Sequence, residues 1–479
     1  MPSRRPVYLF STLSAGSSIE HSLGSPEYSY HFVLEGYRAA LKDTADIVVL
    51  ASAVEVEHAH AEFRRHGREA IFLCFTPPHR VPLSLVCPTV CVFAWEFTTV
   101  PAECCNDQLG SDWTHVWQQT GRTLTLSNHA AGLVREAMGS GFDVASLPAP
   151  VAERHFAALP PTGGARILTL RGSIFDSRVY GPYFGRPLPL AAVPLAALPA
   201  ALPSAPSPPR LLGWYRRWVR DRWLPAGSAR ALSVVGRWWA ARTAPVTEPP
   251  APLPEPACPA GPPPERVRLD GIVYASVFNP MDGRKNWQDL LTAFCYAFRD
   301  EPGATLVMKM VHEHREAFEI LLDRLTYALS PFQCRVVALH GWMTDAEYDA
   351  LIAAADYYVN TSTGEGQCLP LMEFMAAGRP AIAPDHTAMA DYVDASNSFV
   401  LTFSEEYNVW PHDERDLFRT MRYRLDWGSL HDAFQDSYRQ FSADPAAYAA
   451  MARSARSSAA KIGSADAFPE RLADFLAAA

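Results

Sequence analysis

The stretch Thr361-Ser-Thr-Gly-Glu-Gly-Gln-Cys-Leu-Pro-Leu-Met-Glu-Phe-Met-Ala-Ala-Gly-Arg-Pro380 decides the fold. It follows Asp356-Tyr-Tyr-Val-Asn360, which is apolar, aromatic and β-branched enough to form a buried strand. A polar loop with two glycines comes next, and Pro370 fits the first turn of a helix because its missing N–H is not needed there. The predicted unit is therefore a strand, a glycine-rich loop and a helix that ends at Gly378.

The start of this helix favours an anion such as a phosphate, because free backbone N–H groups add to the partial positive charge of a helix N-terminus. Glu365 in the loop and Glu373 in the first turn would repel that anion unless they face something else. Their acceptor oxygens suit sugar hydroxyls, so the pattern indicates a sugar attached to a phosphate. The alternative is that Glu373 complements the helix dipole and Glu365 is a solvated loop residue, and the spacing alone leaves both open.

The composition limits the classes to which the protein can belong. The chain has 479 residues, more than one core usually supports, so two domains are expected. Hydrophobic residues make up 48% and charged residues 19%, as in globular proteins. The net charge of −9 argues against a general nucleic-acid binder, which needs a basic face. Nine cysteines without a paired framework, and the lack of a secretory signal, favour the cytoplasm.

Residues 1–168 show strands that alternate with helices, which predicts a parallel α/β domain. Ligand-binding loops gather at the carboxyl ends of such strands. Two of these ends are candidates for holding a polyhydroxylated acceptor. One is a loop after the first strand that contains Ser14 and Gly16, and the other is Ala94–Phe97, which contains Glu96. The alternative at the second place is simple core packing of the aromatic residues.

The composition changes between residues 185 and 264, which hold nineteen of the 41 prolines. Regular helices and central strands do not persist at that density of proline, so we interpret the region as an irregular insertion or linker. Within it, residues 211–224 are predicted to form an amphipathic helix with tryptophans on one side and arginines on the other. This pattern is typical of contact with an anionic membrane, and the alternative is a helix docked on the protein itself.

Residues 265–410 again alternate strands and helices, which predicts a second doubly wound domain. Residues 411–479 are expected to form a mainly helical segment that packs back on the domains. Arg284 and Lys285 lie in a turn between a strand and a helix, so they face the same crevice as the loop that holds Glu365. Two cations there would neutralise a diphosphate, whereas the alternative is an ordinary solvated Arg-Lys pair.

Taken together, these motifs resemble the group 1 glycosyltransferases. The resemblance covers about Leu269–Val400 and rests on Gly283-Arg-Lys-Asn286, His340-Gly341, the glutamates Glu365 and Glu373 with seven residues between them, and Ala376-Ala-Gly-Arg-Pro380. It implies the GT-B fold, an α/β architecture in which two Rossmann-like, doubly wound domains face across a cleft. The Pro-rich insertion would lie between them and belongs to no family pattern that we identify.

Position by position, the resemblance implies roles for several residues. Lys285, with Arg284, would bind the donor diphosphate, Glu365 would contact the donor sugar, and Glu373 would bind the ribose hydroxyls. The other expected donor-binding residues are Asn279, Gly366, Gln367, Cys368 and Leu369. Gln367 and Cys368 replace the Phe-Gly that is commonest in the family, so we expect them to set the donor specificity.

No metal and no cofactor are expected. The chain has no Asp-x-Asp, the usual metal site of the other large glycosyltransferase fold. The pairs His58/His60 and His312/His314 lack a further ligand at helical spacing, so we interpret them as solvated surface histidines.

The sequence thus predicts a retaining glycosyltransferase that moves a sugar from a nucleotide-diphosphate donor to a hydroxyl of a glycan, lipid-linked or protein acceptor. Its expected context is bacterial surface glycan or glycoconjugate synthesis in the cytoplasm, at the inner face of the membrane if residues 211–224 bind lipid. No nucleic-acid partner is expected. Two alternatives stay open: a nucleotide-sugar epimerase of the same fold, for which we find no acid/base pair, and a catalytically silent glycan-binding or scaffold subunit.

Overall fold

The computed structural model of the protein describes residues 5–13, 26–104, 109–157, 166–180, 265–311 and 327–477, except 412 and 414. Residues 1–185 and 262–479 form one compact unit, and everything below concerns the described part of it. This unit is built around two large sheets and a small hairpin.

The first domain contains a six-stranded parallel sheet. Its strands are β1 (Val7–Ser11), β2 (Asp46–Val49), β3 (Ala70–Phe75), β4 (Thr89–Phe93), β5 (Arg122–Thr125) and β6 (Asp143–Ser146). The strand order is β2-β1-β3-β4-β5-β6. The helices between them are α1 (Pro26–Leu41), α2 (Ala53–Arg65), α3 (Trp113–Thr120) and α4 (Asn128–Met138). Strands such as β3 and β4 are almost continuously apolar because both faces of a parallel sheet are covered.

The second domain contains an eight-stranded sheet. Its strands are β7 (Arg166–Asp176), β8 (Glu265–Leu269), β9 (Ile272–Phe278), β10 (Ala304–Met310), β11 (Arg335–Trp342), β12 (Tyr357–Val359), β13 (Ala381–Pro384) and β14 (Ser398–Leu401). Its helices are α5 (Ser177–Tyr180), α6 (Trp287–Ala297), α7 (Asp345–Ala354) and α8 (Leu369–Ala376). The strand order is β14-β13-β12-β9-β10-β11-β7-β8. The order therefore reverses between β9 and β12, which are parallel neighbours.

β7 places the boundary of the first domain earlier than the expected residue 168. The strand pairs antiparallel with β11 and β8, so it belongs to the second sheet. Its first residue is anchored there, because the Arg166 guanidinium donates to both carboxylate oxygens of the buried Asp356, at 2.6 and 3.1 Å. At the other end, Arg335 pairs with Asp176 at 2.6 Å. A local sequence pattern does not predict contacts between residues so distant in sequence.

Residues 403–425 form an antiparallel hairpin where the sequence predicted helix from residue 411 onwards. Its strands are β15 (Phe403–Val409) and β16 (Phe418–Leu425). β16 reads Phe-Arg-Thr-Met-Arg-Tyr-Arg-Leu, in which apolar and polar residues largely alternate. That period of two favours a strand, so the lack of Gly and Pro was a misleading sign of helix. The helical segment begins only at Trp427.

Three helices close the chain and pack back on both domains. They are α9 (Trp427–Ala443), α10 (Pro445–Gly463) and α11 (Phe468–Ala477). α9 packs on α6, α10 packs on α8, and α11 returns to α1 of the first domain. There the rings of Phe468 and Tyr37 pack edge to face with centroids 4.6 Å apart. Arg122 of β5 donates to the carbonyl oxygens of Phe475 and Leu476.

Several expectations fall outside the described residues. They concern Ser14, Gly16, the predicted helix at 211–224, His312 and His314. Among the helices that are described, none combines the length and the apolar character needed to span a membrane. His60 is 5% exposed rather than solvated, because it lies on the same face of α2 as the buried Val56.

The close contact of β7 with β11 depends on Gly172. A Cβ at this position would overlap the carbonyl oxygen of His340 and lie 3.1 Å from the Cα of Gly341. We predict that Gly172→Ala lowers the free energy of unfolding by about 1–3 kcal/mol, because the backbone of β11 must move. Urea unfolding of the wild type and the variant measures this difference in the free energy of unfolding.

Gly132→Ala is the matched control. Gly132 lies in α4, and a Cβ there would meet no atom within 4 Å. This change should be neutral or stabilise the protein by about 0.5–1 kcal/mol, because alanine favours helix. Equal stability of the two variants would contradict the packing of β7 on β11.

Candidate active site

Two loops meet where the strand order of the second sheet reverses. The turn at residues 279–286 follows β9, and the loop at residues 360–368 follows β12. The N–H of Thr363 donates to the carbonyl oxygen of Arg284 at 2.8 Å, and the Thr361 hydroxyl donates to that of Lys285 at 3.0 Å. The carboxyl ends at such a reversal form the crevice where doubly wound sheets bind ligands.

The Glu365 carboxylate lies at the centre of a charge cluster in this crevice, with its side chain only 5% exposed. Its Oε1 accepts from Lys285 Nζ at 2.5 Å and from the Ser362 hydroxyl at 2.6 Å. Its Oε2 accepts from Arg284 Nη1 at 2.9 Å. The structure thus brings the predicted cations and the first predicted glutamate into direct contact.

The charges of the cluster hold each other in the ionised form. Burial by itself would raise the pKa of Glu365, but Lys285, Arg284 and the hydrogen bonds to the carboxylate outweigh it and lower that pKa. Burial would likewise lower the pKa of Arg284, whereas the surrounding carboxylates raise it. Both groups are therefore charged at neutral pH.

Arg284 connects the two domains. Its Nε lies 3.3 Å from Oε1 of Glu96, which follows β4 in the first domain. Its Nη2 donates to Asp282 at 2.9 Å, and its Nη1 donates to the carbonyl oxygen of Gly364 at 2.7 Å as well as to Glu365. Burial raises the pKa of Glu96, although the charge of Arg284 acts in the opposite direction. Most of the donor capacity of Arg284 is therefore committed to protein groups.

Lys285 keeps more of its donor capacity. Its ammonium carries three N–H groups, of which one bonds to Glu365. The other two have no hydrogen-bond partner among the residues that the structure describes, and the side chain is 17% exposed. Of the two predicted cations, Lys285 is the one with donors left for a ligand.

The glycines of the loop allow it to lie directly on the first domain. A Cβ on Gly364 would be 2.6 Å from the carbonyl oxygen of Glu96. A Cβ on Gly366 would be 2.6 Å from the Cβ of Ala94 and 3.3 Å from the N of Trp95. Any larger residue would separate the loop from the end of β4, so these positions require glycine.

Gln367 joins the domains instead of facing a donor. Its side-chain amide donates to the carbonyl oxygen of Ala149 at 2.7 Å and accepts from the N–H of the same residue at 3.0 Å. The backbone carbonyl oxygen of Gln367 accepts a hydrogen bond from the Tyr392 hydroxyl at 2.7 Å. In this arrangement both polar atoms of the Gln367 side chain bond to the first domain, and its expected role in donor specificity stays a prediction.

The N-terminus of α8 presents unpaired backbone donors. The N–H groups of residues 366–369 make no hydrogen bond within the described part of the chain. Cys368 precedes the helix with φ at 61°, and its sulfur accepts from Asn360 Nδ2 at 3.0 Å. The Leu369 side chain packs against a core cluster that contains the first-domain strands. The side chains of Cys368 and Leu369 are thus held by other protein groups, and their backbone N–H groups are the donors without a partner among the described residues.

The remaining predicted residues lie at the edge of the cluster. Glu373 is partly buried on α8 and accepts from the Tyr348 hydroxyl at 2.7 Å. Burial and Glu373 raise the pKa of Tyr348, so this hydroxyl keeps its proton. The side-chain oxygen of Asn279 accepts from the N–H of Met281 at 3.0 Å, which shapes the turn after β9.

Sequence reasoning missed His386 and Thr387, which follow β13 at the same edge of the sheet. The Thr387 hydroxyl accepts from the N–H of Glu365 at 3.0 Å. Thr387 has φ at 52°, and Asn286 and Cys368 also have positive φ. Such conformations cost about 1–3 kcal/mol each in non-glycine residues, and they cluster at functional sites. Their position at the carboxyl end of a strand was the available signal.

Comparison with known proteins agrees with this architecture. Residues 271–422 match the family model of Glycosyl transferases group 1. The sucrose-phosphate synthase of Thermosynechococcus elongatus aligns with 99% of this chain and 98% of its own, at 12% identity and a TM-score of 0.52. A glycosyltransferase from Rickettsia africae aligns over 98% of both chains, at 9% identity and a TM-score of 0.52. No curated protein sequence matches the chain.

HepE from Anabaena, solved in complex with UDP and glucose, covers 99% of this chain and 100% of its own at 12% identity, with a TM-score of 0.51. At these identities the likeness concerns the fold, which is GT-B. Residues 271–422 thus form a group 1 glycosyltransferase domain. The protein is a glycosyltransferase by this domain, and its two Rossmann-like domains were correctly predicted from the sequence.

Removal of the Glu365 charge should destabilise the protein in a pH-dependent way. Because the folded pKa lies below the unfolded value of about 4.3, the ionised carboxylate stabilises the native state above that pH, and this contribution falls as the pH drops toward the folded pKa. We predict that Glu365→Gln costs about 2–4 kcal/mol at pH 7, since it leaves two partly buried cations without their partner. Urea unfolding at several pH values measures the cost.

The difference between wild type and Glu365→Gln should shrink between pH 5 and pH 3. Glu62→Gln is the control, because Glu62 is 52% exposed and pairs only at the surface. Its cost should stay within about 0.5 kcal/mol at every pH. A Glu365→Gln cost that does not change with pH would contradict the ionised, cation-paired state of Glu365.

Proposed function

We propose that the protein is a retaining glycosyltransferase that moves a sugar from a nucleoside-diphosphate donor to a hydroxyl acceptor. The observation that supports this most directly is the position of Lys285 beside the N-terminus of α8. An ammonium with two N–H groups to spare and four adjacent unpaired amides together suit a diphosphate.

Donor binding requires one carboxylate to leave the cluster. Two cations, Arg284 and Lys285, are surrounded by three carboxylates, those of Glu365, Glu96 and Asp282. A diphosphate added to this set would meet an excess of negative charge. Glu96 is the member that belongs to the first domain, so a separation of the domains releases it and frees Arg284 for the phosphates. We therefore infer that the domains open to admit the donor.

In the reaction, the bond between the anomeric carbon and the donor phosphate oxygen breaks while the acceptor oxygen bonds to the same face of that carbon. The acceptor proton passes to the departing phosphate oxygen. Lys285, Arg284 and the amides of α8 stabilise the negative charge that develops on the leaving diphosphate. Glu365 and Glu373 position the donor through its hydroxyls, and no protein nucleophile takes part.

The acceptor lies on the side of the first domain, near Glu96, and its class is a glycan, a lipid-linked sugar or a protein hydroxyl. The proposed context is bacterial surface glycan or glycoconjugate synthesis on the cytoplasmic side of the membrane, with residues 211–224 as a peripheral membrane contact. HepE was solved with UDP and glucose, which makes uridine donors the first to test. No metal or cofactor is part of the proposal.

Donor binding should depend on Lys285. We predict that Lys285→Met weakens the binding of the preferred nucleoside diphosphate at least tenfold, because one charge-assisted contact to phosphate is lost. The measurement is a thermal-shift titration with UDP, GDP, ADP, UDP-glucose, GDP-mannose and ADP-glucose, in which a ligand that binds the native state raises the unfolding temperature.

Lys42→Met serves as the control, because Lys42 is an exposed lysine at the end of α1. It should bind the same ligand as tightly as the wild type. Absence of a shift with any of the six ligands in the wild type would overturn the proposed function. Equal affinities in wild type and Lys285→Met would remove Lys285 from the donor site.

The stereochemical outcome is a separate prediction. With the preferred donor and a panel of simple glycoside acceptors, the anomeric configuration of the transferred sugar should match that of the donor. Proton NMR of the first-formed product reads this directly from the anomeric coupling. An inverted product would show that attack occurs on the opposite face and would refute the retaining mechanism.

A further inference from the structure

His386 carries a buried polar atom beside the crevice, and none of the predicted roles uses it. It lies just after β13, the parallel neighbour of β12, so it shares the edge of the sheet that carries Glu365. The residue is 3% exposed. Its ring stacks on Tyr423 of β16, with centroids 4.6 Å apart, and meets Phe403 of β15 edge-on at 4.9 Å. The hairpin therefore fixes the orientation of the imidazole.

The hydrogen bonds of Thr387 determine which ring nitrogen of His386 carries the proton. The Thr387 hydroxyl has one proton, which it donates to the carbonyl oxygen of His386 at 2.8 Å. Its oxygen then only accepts, from the N–H of Glu365 at 3.0 Å and from Nδ1 of His386 at 3.3 Å. This hydrogen-bond pattern assigns the proton to Nδ1 and the lone pair to Nε2.

This lone pair has no hydrogen-bond donor among the described residues, although Nε2 is fully buried. Burial lowers the pKa of His386 to about 4, so the ring is neutral at physiological pH and Nε2 remains an acceptor. A buried acceptor without a partner is costly, and such groups in native proteins call for an explanation. A ligand that donates an O–H or N–H group to Nε2 is one such explanation.

The surroundings of His386 indicate the kind of donor. The residue lies where the two domains meet, because the turn at residues 387–391 packs on α4 of the first domain and the N–H of Asn128 donates to Asp391 at 2.8 Å. The carboxylate oxygens of Glu365 already accept hydrogen bonds from protein groups and have little capacity for more. Lys285 and Ser362 occupy Oε1, and Arg284 bonds to Oε2. A sugar with several hydroxyls therefore needs a further acceptor in this crevice.

We propose that His386 Nε2 accepts a hydrogen bond from a hydroxyl of the transferred sugar and so helps to determine which sugar is accepted. This rests on the proposed function, because it takes a nucleotide sugar as the ligand. The hydroxyl reaches Nε2 when the separation of the domains uncovers the ring. The competing explanation is that the ring only fills space under the hairpin.

Two substitutions separate these explanations. In His386→Asn the amide nitrogen takes the place of Nδ1 and can still donate to Thr387, but the acceptor at Nε2 is lost. In His386→Gln the amide reaches the place of Nε2 and can supply an acceptor oxygen. The measurement is the affinity of each variant for the preferred nucleotide sugar and, separately, for its nucleoside diphosphate, chosen from the six ligands above.

We expect His386→Asn to weaken the binding of the nucleotide sugar about tenfold, because one hydrogen bond to the sugar is lost. The binding of the nucleoside diphosphate should weaken less than twofold. His386→Gln should recover part of the loss. His60→Asn is the control for the removal of a buried histidine outside the crevice, and it should change neither affinity.

The two possible failures are distinguishable. If no ligand binds the wild type, the proposed function fails and this inference fails with it. If the wild type binds, but His386→Asn weakens both ligands equally or neither of them, His386 is a packing residue and the inference alone is overturned.

Discussion

The burial of the Glu365 carboxylate between Lys285 and Arg284 is the constraint on which the site depends. An ionised carboxylate that is 5% exposed is tolerable only with charged partners at hydrogen-bond distance. The two cations come from the turn after β9, and the carboxylate comes from the loop after β12. The ion cluster therefore holds together the two loops at the reversal of the sheet and keeps them in one geometry.

The same cluster is where the two domains touch. Arg284 reaches Glu96 across the boundary, Gly364 and Gly366 lie against the end of β4, and Gln367 pairs with Ala149. The hairpin adds a further connection, since Met421 N–H donates to the Thr98 hydroxyl at 3.0 Å. The groups proposed to bind the donor are thus also those that join the two domains, so the proposed opening would rearrange the donor site as well.

The sequence predicted the architecture well, because strands and helices alternate clearly and the Glu365–Glu373 spacing is specific. It also brought Arg284, Lys285 and Glu365 together, since the carboxyl ends of neighbouring strands share one edge. It failed where the outcome depends on tertiary contacts. The pairing of Gln367 with Ala149 and the burial of His386 against the hairpin depend on partners that are distant in sequence. The period-two pattern of β16 predicts a strand, whereas its lack of Gly and Pro favours a helix, and the structure follows the period.

The most direct test of the donor site is a crystal structure of the protein with the nucleoside diphosphate that gives the largest thermal shift. We predict that the diphosphate lies within hydrogen-bonding distance of Lys285 Nζ and of the backbone N–H groups of residues 366–369. We also predict that Glu96 no longer contacts Arg284 in that structure. A diphosphate bound elsewhere, with the Arg284–Glu96 contact intact, would contradict the central claim.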